Sequence, residues 1–261
     1  MKSFVSAFLV IVCLASWSVP ALAAGVADTR QEWLQAQQTR IAADATYKQA
    51  QIDYRASKTP ENDKEVVDTA KALMNAALDE AAAWLRWKDA EAQGDPRVPA
   101  EIRNAISADV AANLQKIVGY RADVAAIQAQ IQIPGVFLKL VGGYTGLLTD
   151  VARNSGALWA AIGTSWVETA STYATKLRTA AADVSDNAEI LAALDAADAA
   201  IAKARTNVAA AKDAYALVRL PGTPFIKFAQ GNASLRLAQT QLLEAQAQLV
   251  RAFTLIGARS R

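Results

Sequence analysis

Two long stretches of this chain carry apolar residues at alternating spacings of four and three, which is the period of a coiled-coil seam. The seam positions of the first stretch are Ile190, Leu194, Ala197, Ile201, Ala204, Val208, Ala211, Tyr215 and Val218. Those of the second are Leu235, Ala238, Leu242, Ala245, Leu249, Ala252 and Ile256. Because large residues alternate with alanine, the pattern predicts long helices whose axes approach closely.

Helix-breaking residues divide the rest of the chain into segments of similar length. Thr59-Pro60 predicts an N-cap followed by proline in the first turn of a helix. Further breaks fall at Gly94 to Pro99, Pro134-Gly135, Ser185-Asp186 and Pro221 to Pro224. The breaks predict an all-α fold of six long, antiparallel, coiled-coil-like helices of about 30 residues each. The predicted bounds are 28–58, 60–93, 98–132, 146–183, 186–219 and 223–258.

The two halves of the chain resemble each other at an offset of 124 to 126 residues. Lys88-Asp89-Ala90 recurs as Lys212-Asp213-Ala214, the pair Pro96 and Pro99 as Pro221 and Pro224, and the pair Trp33 and Tyr47 as Trp159 and Tyr173. The proline and tryptophan matches do not depend on the high alanine content. We therefore predict a duplicated three-helix unit, with a first repeat at 24–133, a junction at 134–148 and a second repeat at 149–261.

The repeat also predicts seams in the second and third helices. The shifted positions are Val66, Ala70, Leu73, Ala77, Glu80, Trp84, Trp87 and Glu91, followed by Val110, Asn113, Ile117, Tyr120, Val124, Ile127 and Ile131. Glu80, Glu91 and Asn113 are polar residues in these otherwise apolar seams. A polar seam residue can set register or partner choice at a cost in stability, so the three are candidate register-setting residues. The alternative is that each rotates outward or lies near a helix end.

The first 23 residues have the pattern of a secretory signal peptide. Lys2 provides the positive n-region, Phe4 to Trp17 form a short apolar stretch, and Ala21-Leu22-Ala23 is a small-x-small cleavage site. The pattern predicts cleavage after Ala23 and a periplasmic or extracellular location. An uncleaved anchor helix is the alternative, although the apolar stretch is short for a membrane span.

Missing residue types exclude much chemistry. The chain has no histidine, and its one cysteine, Cys13, lies in the predicted signal peptide. Catalytic triads, cysteine nucleophiles and the usual zinc and haem sites therefore have no ligands or nucleophiles here. We predict no catalytic residue, no cofactor and no metal. Basic and acidic residues nearly balance, at 27 and 25, so nucleic acid is not an expected partner.

Several other features have a packing interpretation. Trp84 and Trp87 resemble an aromatic binding patch, but both fall at predicted seam positions. Asp195 and Asp198 lie three apart on one helix and are typical of a solvated helix face. Gly231, next to Asn232, lies inside the sixth predicted helix and predicts a kink or a late helix start.

The least polar run of the predicted mature chain is IPGVFLKLVGGYTGLL, residues 133–148. Phe137, Leu140 or Val141, Tyr144, and Leu147 or Leu148 follow helical spacing and predict one apolar face. The candidate partner or membrane contacts on it are Phe137, Leu140, Tyr144 and Leu148. Gly142-Gly143 permits a bend. One interpretation is a bridge packed on the bundle, and the other is an exposed apolar site that contacts a partner or a membrane.

These observations predict a non-enzymatic, exported helical-bundle protein. We expect it to act through protein–protein contacts, as a scaffold, an assembly subunit or a chaperone-like binder, with a protein partner or by self-association. The alternative is a lipid- or membrane-binding protein that uses the apolar junction, residues 133–162. Burial of the junction discriminates between these two hypotheses. A third hypothesis, a hydrolase that uses only carboxylates, requires two acidic residues that converge in a cleft.

Overall fold

The computed structural model describes residues 24–259, so the predicted signal peptide lies outside the described residues. Across this range the chain forms six α-helices and no β-strand, which confirms the all-α prediction. The helices are α1 (Ala24–Ala56), α2 (Pro60–Gly94), α3 (Ala100–Ala125), α4 (Ile133–Ala182), α5 (Ala188–Ala216) and α6 (Pro224–Arg259). A short 3-10 helix, Gln130–Gln132, precedes α4.

The described chain packs as two compact units, and the boundary falls inside α4 between Val151 and Ala152. The N-terminal unit contains α1, α2, α3 and the start of α4. The C-terminal unit contains the rest of α4 together with α5 and α6. Each unit is therefore built on three consecutive helices, followed in the N-terminal unit by the first turns of the next.

The C-terminal unit has the predicted seams at its core. All nine predicted positions of α5 are buried, and so are the first six of α6, whereas Ile256 is half-buried. They pack against buried residues of α4 that include Val167, Ala170, Ala174 and Leu177. Each large aliphatic side chain buried in this way contributes about 1.5–3 kcal/mol to folding. The alternation of leucine or isoleucine with alanine thus produces the close helix packing that the spacing predicts.

Polar contacts fix the antiparallel register of the C-terminal unit. Arg178 on α4 bonds both Asp195 and Asp198 on α5, at 2.8 and 2.7 Å. Between α5 and α6, Arg251 donates to Glu189 at 2.8 Å, and Asn207 donates to Gln241, also at 2.8 Å. Asp195 and Asp198 are thus members of an ion-pair cluster on a solvated surface.

In the N-terminal unit, α2 is the central helix because it contacts both α1 and α3. It consequently buries more than one face, including Met74, Leu78, Ala82 and Leu85. Val66 and Ala70 are buried as the repeat predicts, but the other six predicted seam positions of α2 are only half-buried. The outer helix α1 buries little: among its described side chains, Val26 and Ala50 are the buried ones.

The seam of α3 is close to the prediction. Val110, Asn113, Ile117, Val124 and Ile127 are buried, and Tyr120 is half-buried. The exception is Ile131, which is 89% exposed. The reason is that α3 ends at Ala125, so Ile131 lies in the 3-10 helix and no longer follows the period of α3.

The duplication predicts that Trp159 occupies the place of Trp33. In the N-terminal unit, Trp33 on α1 stacks on Trp87 on α2. In the C-terminal unit, Trp159 on α4 packs against Phe228 on α6, with ring centroids 5.8 Å apart. The two tryptophans thus have different aromatic partners, and the duplication stays a prediction from the sequence.

The start of α4 differs from its predicted position. The helix begins at Ile133 rather than near 146 and is 50 residues long. Pro134 does not end a helix here but lies in the first turn of one, where its missing N–H costs nothing. The predicted junction, 134–148, is therefore helical, and α4 continues through Gly142-Gly143 without a break.

Candidate functional site

An exposed apolar surface lies on the first turns of α4. Its members are Phe137, Leu138, Val141 and Tyr144, which are 52, 68, 48 and 47% exposed. At 100° per residue they fall within an arc of about 120°, so they form one continuous stripe that we call the α4 apolar face. Between residues 133 and 148 the one charged residue is Lys139. The surface is therefore apolar without interruption by charge.

The neighbouring face of the same helical segment is packed. Ile133, Leu147 and Val151 are buried within the N-terminal unit. Leu140 and Leu148, which the sequence places on the candidate contact face, are half-buried. Of the four predicted contact residues, Phe137 and Tyr144 thus reach solvent most fully. Val141, the alternative to Leu140 in the sequence pattern, belongs with them, and so does Leu138, which the pattern did not single out.

Charged groups hold this segment of α4 on α3. Lys139 pairs with Asp123 on α3 at 2.6 Å. Nearer the middle of the helix, Asp150 accepts a hydrogen bond from the amide of buried Asn113 at 3.1 Å and lies 3.8 Å from the ammonium of Lys116. The charges next to the α4 apolar face are therefore balanced in pairs. The exposed face itself lies on a helix whose position is fixed.

A close contact between helices explains one of the two adjacent glycines. A Cβ atom built at Gly143 would overlap the ring of Tyr120 on α3, whereas a Cβ at Gly142 would meet nothing within 4 Å. Gly143 thus allows Tyr120 to lie directly against the backbone of α4. Its role is close packing between α3 and α4, since α4 is continuous at this point.

The three candidate register-setting residues lie in different environments. Asn113 is buried, with 2% of its surface exposed, and its amide also donates to the Asp109 carbonyl at 3.0 Å. Glu80 forms a short ion pair with Arg40 that links α2 to α1. Glu91 pairs with Lys88 at 2.8 Å within α2 itself. Asn113 and Glu80 therefore connect helices, whereas Glu91 does not.

One stretch of α4 is unusually apolar for a part of the helix that is so little buried. The stretch Gln130–Ala182 is long and apolar enough to cross a membrane, judged by length and composition alone. In its apolar 18-residue window, 11% of the residues are buried. Core helices of water-soluble bundles are apolar because they are buried, and that explanation does not apply to this window.

Aromatic residues form a second cluster, between α1 and α2. Trp33 and Trp87 stack with ring centroids 5.0 Å apart, and the ammonium of Lys88 lies 3.8 Å from the Trp87 ring centroid. Trp84 and Trp87 are half-buried. The stack joins the two helices, in agreement with the packing interpretation of these tryptophans.

Acidic residues do not converge in the described part of the chain. Among residues 24–259, no group of three or more His, Cys, Asp or Glu side chains is placed to hold a metal ion. The acidic pair noted in the sequence has a basic partner instead, since Asp195 and Asp198 share Arg178. Asp79 on α2 likewise pairs with Arg121 on α3.

No protein-family model, curated protein or solved structure matches this chain. A function must therefore be inferred from the structure itself, and the features that it offers are the α4 apolar face and the paired charges around it.

Proposed function

We propose that this chain is an exported, non-enzymatic helical protein that binds lipid surfaces through the α4 apolar face. The observation that supports the proposal is the exposure of Phe137, Leu138, Val141 and Tyr144 on a helix that is apolar throughout this region. An exposed apolar stripe beside a packed one is typical of a helix that lies in the membrane interface.

The packing favours contact with the membrane surface over insertion across it. Ile133, Leu147 and Val151 are already buried against the N-terminal unit, and crossing a bilayer would expose them. It would also separate Lys139 from Asp123 and Asp150 from Asn113, leaving charged groups without partners. Contact through the α4 apolar face leaves all these interactions intact.

The expected affinity is modest. Each of the four side chains is about half-exposed, so transfer of its remaining surface from water to lipid contributes about 1 kcal/mol. The total, about 3–5 kcal/mol, corresponds to weak and reversible binding, comparable to that of a single acyl anchor. The local charges are balanced, so this face has no preference for anionic lipid.

Vesicle flotation of the purified protein tests the proposal. The native protein is expected to float with phosphatidylcholine vesicles, and Val141→Asp to reduce the bound fraction about tenfold or more, since a carboxylate must then enter the apolar layer. Ile41→Asp is the matched control, because Ile41 on α1 is also 48% exposed. Equal flotation of native protein and Val141→Asp, with both folded by circular dichroism, would rule out the α4 apolar face as a lipid-binding surface.

Protein–protein contact is the second candidate function, and α1 favours it. Leu34, Ile41 and Ile52 are exposed at spacings of seven and eleven, which places them on one stripe of α1. A stripe of this kind suits a partner helix or a second copy of the chain. Sedimentation velocity tests it: Ile41→Asp is expected to dissociate a self-associated species, and Val141→Asp to leave that species unchanged.

A further inference from the structure

The turn between α5 and α6 forms a second exposed apolar surface, in the C-terminal unit. Leu217, Leu220, Phe225 and Ile226 are 45, 49, 51 and 58% exposed. They lie within ten residues of one another in a sharp reversal of the chain, so they are close together in space. We call these four residues the α5–α6 tip.

The base of the tip is firmly packed, so the exposure of its apolar residues does not result from a loose turn. Tyr215, Val218 and Pro224 are buried, and the Lys227 N–H donates to the Thr223 carbonyl at 3.1 Å in the first turn of α6. Phe228 packs against Tyr215, with ring centroids 5.7 Å apart. About half of the surface of each of the four apolar side chains therefore remains in solvent and is not used in the packing of this unit.

The charged residues of the chain segment that forms the tip are all basic, and the nearest acidic residue before it is Asp213, which is exposed near the end of α5. Between Asp213 and Glu244 the chain carries Arg219, Lys227 and Arg236 and no acidic residue. Arg219 is exposed beside Leu220, and the Lys227 ammonium donates to Gln230 rather than to a carboxylate, at 3.2 Å. This distinguishes the tip from the α4 apolar face, where Lys139 is paired with Asp123.

We propose that the α5–α6 tip is a contact site for anionic phospholipid bilayers. Leu220, Phe225 and Ile226 enter the boundary between head groups and acyl chains, and Arg219 and Lys227 bind the lipid phosphates. Apolar side chains flanked by basic ones match both layers of such an interface. The site is independent of the α4 apolar face, because it lies in the C-terminal unit and its binding depends on the basic residues Arg219 and Lys227.

Partitioning onto two kinds of vesicle tests whether the basic residues of the tip contribute to lipid binding. One kind is phosphatidylcholine alone, and in the other part of it is replaced by phosphatidylglycerol. The double variant Arg219→Gln/Lys227→Gln is expected to lose about fivefold in partitioning onto the anionic vesicles for each charge removed, and to be unchanged on the neutral ones. A double variant that keeps the anionic preference of the native protein would overturn the proposal.

A fluorescent probe tests insertion directly and does not depend on the charge variants. In a Cys13→Ser background the chain has no cysteine, so Ile226→Cys can be labelled with a polarity-sensitive dye. Its emission is expected to shift to the blue on anionic vesicles. The control is Leu237→Cys, at a position on the same helix with 56% exposure against 58% for Ile226. Equal responses of the two dyes would contradict insertion of the tip.

Two further results distinguish this proposal from self-association through the tip and from lipid binding by α4. If Ile226→Asp lowers the sedimentation coefficient and leaves vesicle binding unchanged, the tip binds a second copy of the chain and the lipid proposal is overturned. If Val141→Asp retains neutral-vesicle binding while the tip variants lose anionic binding, the proposed function of α4 fails and the α5–α6 tip stands.

Discussion

The Tyr215 hydroxyl on α5 donates a hydrogen bond to Oδ1 of Asn232 on α6 at 2.6 Å. The ring of Tyr215 is buried, and it lies against the backbones of two helices, α4 at Gly156 and α6 at Gly231. Burial raises the pKa of the Tyr215 phenol, so the hydroxyl remains a hydrogen-bond donor throughout the physiological range. One aromatic residue thus holds all three helices of the C-terminal unit at close distance.

This arrangement predicts that alanine is not tolerated at either glycine. A Cβ atom at Gly156 or Gly231 would overlap the Tyr215 ring, and overpacking of this kind costs about 1–3 kcal/mol. We therefore expect Gly231→Ala to lower the free energy of unfolding in urea by that amount. Gly257→Ala is the control, since nothing lies within 4 Å of a Cβ there and alanine favours the helix. Equal stability of the two variants would contradict the packing role.

The sequence could predict these helices better than it could predict this contact. The 4,3 period identified eight of the ten buried residues of α5, because burial on one face of a regular helix follows the spacing of its apolar residues. It did not reveal why Gly231 lies inside α6, and the late helix start was wrong, since α6 begins at Pro224. The reason is that the ring in contact with Gly231 belongs to Tyr215 on α5. The apolar period of α6 contains no information about which side chains of a neighbouring helix reach its backbone.

The candidate site shows the same limit. The apolar run 133–148 and the face containing Phe137 and Tyr144 could be recognised from spacing. Whether other helices cover that face could not be predicted from spacing, because α3 packs against only one side of α4. The start of α4 was also displaced in the prediction, since proline is compatible with both the end and the first turn of a helix. Asn113 stands out in the sequence as a polar residue in a predicted apolar seam, and it is buried. Its partner Asp150 could not be identified from the spacing, because it lies 37 residues away on another helix.

The two adjacent glycines of α4 should respond differently to alanine. Gly142→Ala meets nothing within 4 Å and is expected to stabilise the helix by about 0.5–1 kcal/mol. Gly143→Ala must displace the Tyr120 ring and is expected to destabilise the protein. Thermal unfolding of the two single variants measures the difference. If both glycines served as a hinge instead, both variants would stabilise the helix and both would change lipid or partner binding.

Asn113 is expected to fix the start of α4 on α3. Asn113→Ala leaves Asp150 without its amide donor in a half-buried position, at a cost of about 1–3 kcal/mol. Hydrogen exchange should therefore become faster across residues 133–151, and the urea midpoint should fall. Glu91→Ala is the comparison, because its ion pair lies within one helix and contributes less than about 1 kcal/mol. Unchanged exchange in Asn113→Ala would show that Asn113 does not position α4.

Asp95 is expected to make the stability of the N-terminal unit depend on pH. Its side chain is 10% exposed at the end of α2, where it accepts hydrogen bonds from the backbone N–H and the guanidinium of Arg97, with Nη2 and Oδ2 2.5 Å apart. Burial alone would raise the pKa of this carboxyl, but the hydrogen bonds and charge of Arg97 outweigh burial and lower it.

A lowered pKa in the folded state means that the unfolded chain takes up the proton first as the pH falls. The stabilising contribution of Asp95 is therefore complete well above the unfolded-state pKa of about 3.9 and disappears as the pH falls through the lower folded-state value. We expect Asp95→Asn to cost about 1.5–3 kcal/mol at pH 7, as for other hydrogen bonds to a charged group. Urea unfolding of both proteins between neutral pH and acid should show this difference shrinking below about pH 4. A difference that is constant across that range would mean that the charge of Asp95 does not contribute to stability.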